Sequence, residues 1–285
     1  MSSPTGSHVP PAGLRERVLT AALIARTPGR ATPATEPITA VEGLRRSAQS
    51  LRQVLSALDE SQWRIPALRG LDVQGLIGHL IGVETDVAGA LTGDARAAAA
   101  DHIASTETTA RLQNGRPGRA TLYDWVTAAG HVLDLLAAAD PDAPVAVHGL
   151  RLTTRSLSIV RTFELWTHEN DIRRALGMPR TDPDAPTLTV MTDFATAILP
   201  RAAAVRGIET PVDLRLVLTG PGGGTWQLRL RDETPAADIG VVTDAAAFCR
   251  LLANRTAAPD LPVHITGDPA IARQVLQAAT TLALD

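Results

Sequence analysis

The hydrophobic positions of this chain recur first at a helical period and later at a period of two. Leu44, Ala48, Leu51, Val54, Leu55 and Leu58 share one helical face. Thr39 and Glu42 stand before them at capping-box spacing. Leu76, Leu80 and Val83 form a stripe in a second helix, from Asp72 to about Leu91. Leu122, Trp125, Val126, Val132, Leu135 and Leu136 mark a third, Thr121 to Ala139. Leu157 and Val160 begin the stripe of a fourth, about Thr153 to Leu176, stopped by Gly177 and Pro179. Asp59 to Gly70 reads as a connection anchored by Trp63. Within the ambiguous segment 93–117, His102 to Leu112 can form a helix. Four long amphipathic helices joined by loops predict a bundle, and bundles build metal sites between facing helices.

Either side of this bundle the pattern changes. Residues 1–11 are rich in Ser, Pro and Gly and are expected to be disordered. A short helix, Leu14 to Ala25, ends at Pro28-Gly29-Arg30 and gives way to a loop with Pro33 and Pro37. A polar linker from Pro179 to Pro186 precedes a helix from Thr187 to about Val205. Then Val212, Leu214, Leu216 and Leu218 alternate, Gly220 to Gly224 turns the chain, and Trp226, Leu228 and Leu230 return as a hairpin. That glycine run lacks the strand-to-helix setting of a phosphate loop. Strands at Ala237 to Val242 and Val263 to Thr266, with helices at Asp244 to Ala253 and Ala270 to about Leu282, complete the tail. The expected fold class is α + (α+β): an extension over 1–38, a helical bundle over 39–180 and a small α+β domain over 186–285.

Composition narrows the function classes. The net charge of -3 gives no bulk attraction to nucleic acid. All 27 basic residues are arginine, a bias of GC-rich genomes such as those of actinomycetes. One cysteine, Cys249, excludes an internal disulfide and suits a reducing cytoplasm; its apolar neighbours predict a buried core residue. No uninterrupted apolar run reaches the roughly 18 residues of a membrane span. The N-terminus lacks the basic and apolar segments of a signal peptide. Neither a nucleic-acid nor a membrane partner is expected.

The candidate chemistry lies in the fourth helix. Glu164 and His168 are one turn apart, and Asp171 continues their face. A carboxylate and an imidazole on a core-facing stripe are costly unless satisfied, either by each other and a neighbouring helix or by a metal ion. His79, at the edge of the second helix's stripe, is the best third partner. Gly75, Gly78 and Gly82 around it predict close approach of another backbone or a ligand. His8 lies in the N-terminal tail, and His102, His131, His148 and His264 lack a patterned partner and read as surface or structural residues.

The run from Arg161 to Gly177, with its Arg-x-x-Glu-x-x-x-His-x-x-Asp-Ile-Arg pattern, resembles the mycothiol-dependent maleylpyruvate isomerase family of DinB-like metal-binding four-helix bundles. Trp63 and the Gly-His-Leu segment at His79 extend the resemblance. Trp226, the Leu252-Ala-Asn-Arg255 segment and Thr266-Gly-Asp268 resemble a sterol-carrier-like (SCP2-like) domain fused to such bundles. The resemblance implies a metal held by His79, Glu164 and His168, Zn²⁺ or another divalent ion, with a fourth position open to an external thiol, mycothiol. It implies an enzyme that adds this thiol to an electrophilic small molecule, by isomerisation or by S-transfer, as a monomer or homodimer. Asp171, Arg173 and Arg255 are the candidate second-layer or substrate-anchoring residues. The thiol-binding residues are not identifiable. The alternative is a non-catalytic protein that binds a metal, a thiol or a lipid.

Overall fold

The computed structural model describes residues 13–30, 36–99, 101–231 and 236–280. The expectations for residues 1–11, His8, Pro33 and Leu282 lie outside these. In chain order the elements are α1 (Leu14–Ala25), β1 (Gly29–Arg30), α2 (Ala40–Ser56), β2 (Pro66–Leu68), β3 (Leu71–Asp72), α3 (Val73–Leu91), α4 (Ala95–Ala99), α5 (His102–Leu112), α6 (Gly118–Ala138), β4 (Pro144–Val147), β5 (Leu150–Thr153), α7 (Thr154–Ala175), α8 (Ala185–Val205), β6 (Val212–Thr219), β7 (Gly224–Arg229), β8 (Ala237–Asp244), α9 (Ala245–Leu252), β9 (Val263–Thr266) and α10 (Pro269–Ala279).

The four long helices foreseen are α2, α3, α6 and α7. Three begin at a side-chain cap: Thr39 accepts from the Glu42 amide, Asp72 from Gly75 and Thr153 from Ser156. The Thr39 box is only half made, because the Glu42 carboxylate turns to Arg45 and Arg46. α2 packs on α6 and α7, and α3 on α5 and α6, around Leu51, Leu55, Leu76, Leu80, Trp125 and Leu165.

α5 lies unusually close to α3, and the glycines explain it. A Cβ on Gly78 would come within 2.7 Å of the Ala110 Cα, and one on Gly82 within 2.9 Å of Thr106. Gly78 and Gly82 thus serve the approach of another backbone, one of the two possibilities the glycine cluster raised.

The tail forms a five-stranded sheet in the order β1-β7-β6-β8-β9, in which β6 and β8 run parallel and the other pairs antiparallel. Leu214, Leu216, Leu218, Ile239 and Val241 pack with Phe248, Leu251, Val275 and Leu276 of α9 and α10. α8 is the shared wall, packing on α2 and α7 on one side and on α9 and α10 on the other. It is long and apolar enough to cross a membrane by length and composition, but it buries Leu188, Met191, Ala195 and Leu199 inside the protein.

Three features depart from the sequence expectation. Gly29–Arg30, read as a helix stop and loop, is an edge strand on β7, and the Arg30 side chain reaches Thr189, Thr192 and Gly222. The connection before Asp72 holds the β2–β3 hairpin. Between α6 and α7 lies the β4–β5 hairpin, whose turn places His148 and Gly149 at φ 51° and 75°. Two successive positive φ values make the tight reversal that matches strand twist.

Candidate active site

The α7 sequence places Arg161, Glu164, His168 and Asp171 along its buried side. Arg161 is buried with two carboxylates, donating to Glu84 at 2.6 Å and to Glu164 Oε2. Burial by itself would lower its pKa, but Glu164 and Glu84 more than offset this and raise it. Burial pushes Glu84 up, against the pull of Arg161. For Glu164 burial acts upward too, but Arg161 and the neighbouring imidazoles outweigh it, and its carboxyl is held well below the usual range. With Oε2 engaged by Arg161, Glu164 Oε1 faces the other way, buried and without a hydrogen-bond partner.

Three imidazoles surround this corner. Ligand atoms of His79, Glu164 and His168 all lie within 4.8 Å of one another. His79 Nε2 is 3.6 Å from Glu164 Oε1, and His102 Nε2 is 3.5 Å from the same atom. Both separations are too long for good hydrogen bonds. The far nitrogens fix the tautomers. Thr106 Oγ1 gives its proton to the His102 or Ile103 carbonyl, so at 2.6 Å it accepts from His79 Nδ1. His168 Nδ1 donates to Asp171 Oδ2 at 3.3 Å. Each of these rings therefore turns a bare Nε2 lone pair inward, and the Nε2 atoms of His102 and His168 have no hydrogen-bond partner.

Bare nitrogens about a buried carboxylate oxygen repel one another unless a cation completes them. Metal–ligand bonds of about 2.0–2.1 Å set neighbouring donors of a tetrahedral site about 3.4 Å apart. The 3.5 and 3.6 Å separations are close to this. Two or three imidazoles with one carboxylate could hold a borderline divalent ion such as Zn²⁺.

The predicted neighbours divide. Asp171 orients His168 and is itself held by Arg255 at 2.8 Å and Arg174 at 3.1 Å. Its pKa is pushed up by burial but lowered overall by His168 and Arg255. Arg255 comes from the α+β part: Asn254, at φ 54°, ends α9 in the left-handed region and turns the next residue toward the helices. Arg173 is not brought to the cluster; it pairs with Glu169 at 2.7 Å, where Thr181 also binds.

His102 and His148 are not the isolated residues their sequence context suggested. His102 is buried against Glu164, and burial lowers its pKa to about 4 despite that carboxylate, leaving it neutral. Behind it stands His148, from the turn of the β4–β5 hairpin, and behind that Asp86. The available signal was the alternation of Val145, Val147, Leu150 and Leu152 about His148-Gly149. His131 is exposed and His264 half-buried, as expected. Cys249 is fully buried, and burial pushes its thiol pKa up.

Two hollows that share Leu68 and Arg69 lie near the cluster. One, of ≈ 200 Å³, is lined by His79, His168, Leu68, Leu76, Ile103 and Ala110. The other, of ≈ 370 Å³, shares Leu68 and Arg69 and adds Asp171, Arg174, Arg180, Arg250 and Arg255. It lies between the helical part and α9, and five arginines face it against one aspartate.

Fold and cluster together define a helical part with a buried imidazole–carboxylate centre, joined to an α+β part that lends it an arginine. The profile of the mycothiol maleylpyruvate isomerase N-terminal domain matches residues 44–173. That segment is therefore similar to this family's domain, as the Arg161–Gly177 pattern implied. Two uncharacterized proteins of Mycobacterium tuberculosis, from strains H37Rv and CDC 1551, are each 26% identical over 238 residues, spanning 81% of this chain and 90% of theirs. The crystal structure of the mycothiol-dependent maleylpyruvate isomerase superposes with a TM-score of 0.55 at 15% identity, covering 79% of this chain and 91% of that one. A histidine-to-alanine mutant of that enzyme gives 0.54 over the same shares. At such identity the likeness is one of fold.

Proposed function

We propose that this protein is an enzyme that joins an external low-molecular-weight thiol to an electrophilic small molecule, with a divalent metal held by His79, Glu164 and His168. The observation that carries this reading is the convergence of bare imidazole nitrogens on Glu164 Oε1, next to an arginine-lined hollow. The metal, when bound, supplies a thiolate at neutral pH from a thiol whose free pKa is about 8.5. Mycothiol is the thiol named for the similar structures and is the first candidate here.

The chain's own residues prepare this chemistry. Arg161 keeps Glu164 ionised and aims Oε1 inward. Asp171, clamped by Arg174 and Arg255, keeps the proton of His168 on Nδ1. Leu68, Leu76, Ile103 and Ala110 give the hollow beside His79 and His168 an apolar lining. The arginines of the second hollow suit a polar or anionic portion of thiol or substrate. Cys249 lies in the apolar contact of α8 and α9 and supplies no nucleophile. The electrophile, and the choice between isomerisation and S-transfer, rest with the loops around the hollows. The sterol-carrier likeness of the α+β part gives no separate activity in this reading.

A non-catalytic metal site is the second reading, and His102 favours it, since closed four-donor sites are structural more often than catalytic. Metal analysis and mycothiol binding decide between the two. The enzymatic reading expects about one Zn²⁺ per chain, absent from His79→Ala and His168→Ala. It also expects a rise in melting temperature with mycothiol and metal-dependent consumption of mycothiol with maleylpyruvate or chlorodinitrobenzene. Zinc without any thiol effect supports the second reading; no zinc removes both.

A further inference from the structure

We propose that His102 is a fourth protein donor to the same metal, locked in its ligating tautomer by a relay of His148 and Asp86. This rests on the metal site proposed above but concerns residues outside its His79–Glu164–His168 set.

The relay can be followed proton by proton. Asp86 Oδ2 accepts from Ser105 Oγ at 2.8 Å and lies 2.9 Å from His148 Nε2, so His148 carries its proton on Nε2. In that tautomer His148 Nδ1 is the acceptor, and His102 Nδ1, 3.2 Å away, is the donor. The proton of His102 is thereby held on Nδ1, and Nε2 is a lone pair 3.5 Å from Glu164 Oε1. Neither atom has a hydrogen-bond partner, and both are buried. Two acceptors facing each other in a buried pocket are stable only with a positive charge between them. This is the arrangement by which outer carboxylates orient metal-binding imidazoles, extended by one ring.

The surrounding backbone is built for this placement. His148 sits at φ 51°, where Asn, Asp or Gly is the usual residue of a tight hairpin turn. The turn is pinned from both positions, His148 N to Ala97 O at 3.1 Å and Gly149 N to Ala98 O at 2.9 Å. On the other side, Gly78 and Gly82 let α5, which carries His102, approach α3, which carries His79. The two rings meet edge to face with centroids 5.0 Å apart. A bulky histidine in a strained turn and glycines inside a helix each cost stability, and both costs serve the position of His102. A resting site with four protein donors admits the thiol only by adding a ligand or by releasing His102.

The test compares metal binding in wild type, His79→Ala, His102→Ala and His148→Asn, the last keeping a residue that tolerates the left-handed turn. Zn²⁺ affinity is measured by chelator competition, and the Co²⁺-loaded proteins are followed by visible absorption. We expect His102→Ala to lose more than about tenfold in Zn²⁺ affinity and to change its Co²⁺ spectrum. His148→Asn should lose about 10–100-fold, as for other outer-layer partners. Metal-free melting temperatures near wild type show that the loss is local. Should His102→Ala fail to fold, His148→Asn carries the test. If wild type binds Zn²⁺ and His79→Ala does not, while both other variants keep wild-type affinity and spectrum, this proposal is overturned and the three-ligand site stands. If wild type binds no Zn²⁺, both fall.

Discussion

The helical half and the sheet half fill their interiors in opposite ways. Inside the helices lie His79, Glu84, His102, Arg161, His168, Glu169 and Asp171, all buried. Beyond α8, the buried polar side chains among the described residues are two threonines, Thr225 and Thr243. Burying charge costs free energy that apolar packing does not, and the sheet half shows that this chain can build a dry core. The polar interior of the helices is therefore a cost that the proposed metal site would account for, while the sheet half has a dry core and lends Arg255 to the boundary.

The largest effect expected from this contrast is at Arg161. Arg161→Met leaves Glu84 and Glu164 buried without their cation and should cost about 3–5 kcal/mol in urea unfolding, together with Zn²⁺ binding. Leu216→Ala in the sheet should cost about 2–5 kcal/mol yet leave Zn²⁺ affinity intact in the folded fraction. Equal loss of metal in both would show that the two interiors are not separable.

Next comes the helix spacing. Gly82→Val overpacks against Thr106 and should destabilise by about 1–3 kcal/mol. Because Thr106 orients His79 and α5 carries His102, Zn²⁺ affinity should fall as well. Destabilisation with unchanged affinity would reduce the glycines to simple packing.

A smaller effect belongs to the boundary. Arg255→Ala frees Asp171 on one side but leaves Arg174 in place, so we expect about tenfold weaker zinc or thiol binding with little change in unfolding midpoint. A wild-type affinity for both would separate the sheet half from the site altogether. The smallest is at Cys249: a thiol reagent should modify it only after unfolding, and Cys249→Ser should still consume external thiol. Loss of activity with retained metal would reopen its role.

Much of the fold was legible because it rests on local rules. Thr39, Asp72 and Thr153 cap helices where the sequence placed them, and the alternation from Val212 to Leu230 gives β6 and β7. The short hairpins escaped because a two- to four-residue strand carries too few alternations to stand out. With the β4–β5 hairpin went His148, and with His148 the reason to attend to His102. Arg173 was misplaced for the converse reason. It is near His168 in sequence, but helical rotation turns it to Glu169 on another side of α7.

The sequence by itself determined the helices, the alternating strands and the Glu164–His168 pair, because each depends on residues within a few turns of one another. Only the tertiary structure decided that α5 lies close enough to α3 to bring His102 beside His79, that a hairpin turn stands behind it, and that Arg255 crosses from the sheet half to Asp171. These pairings join residues up to 84 positions apart, and no local periodicity encodes which distant surfaces will meet.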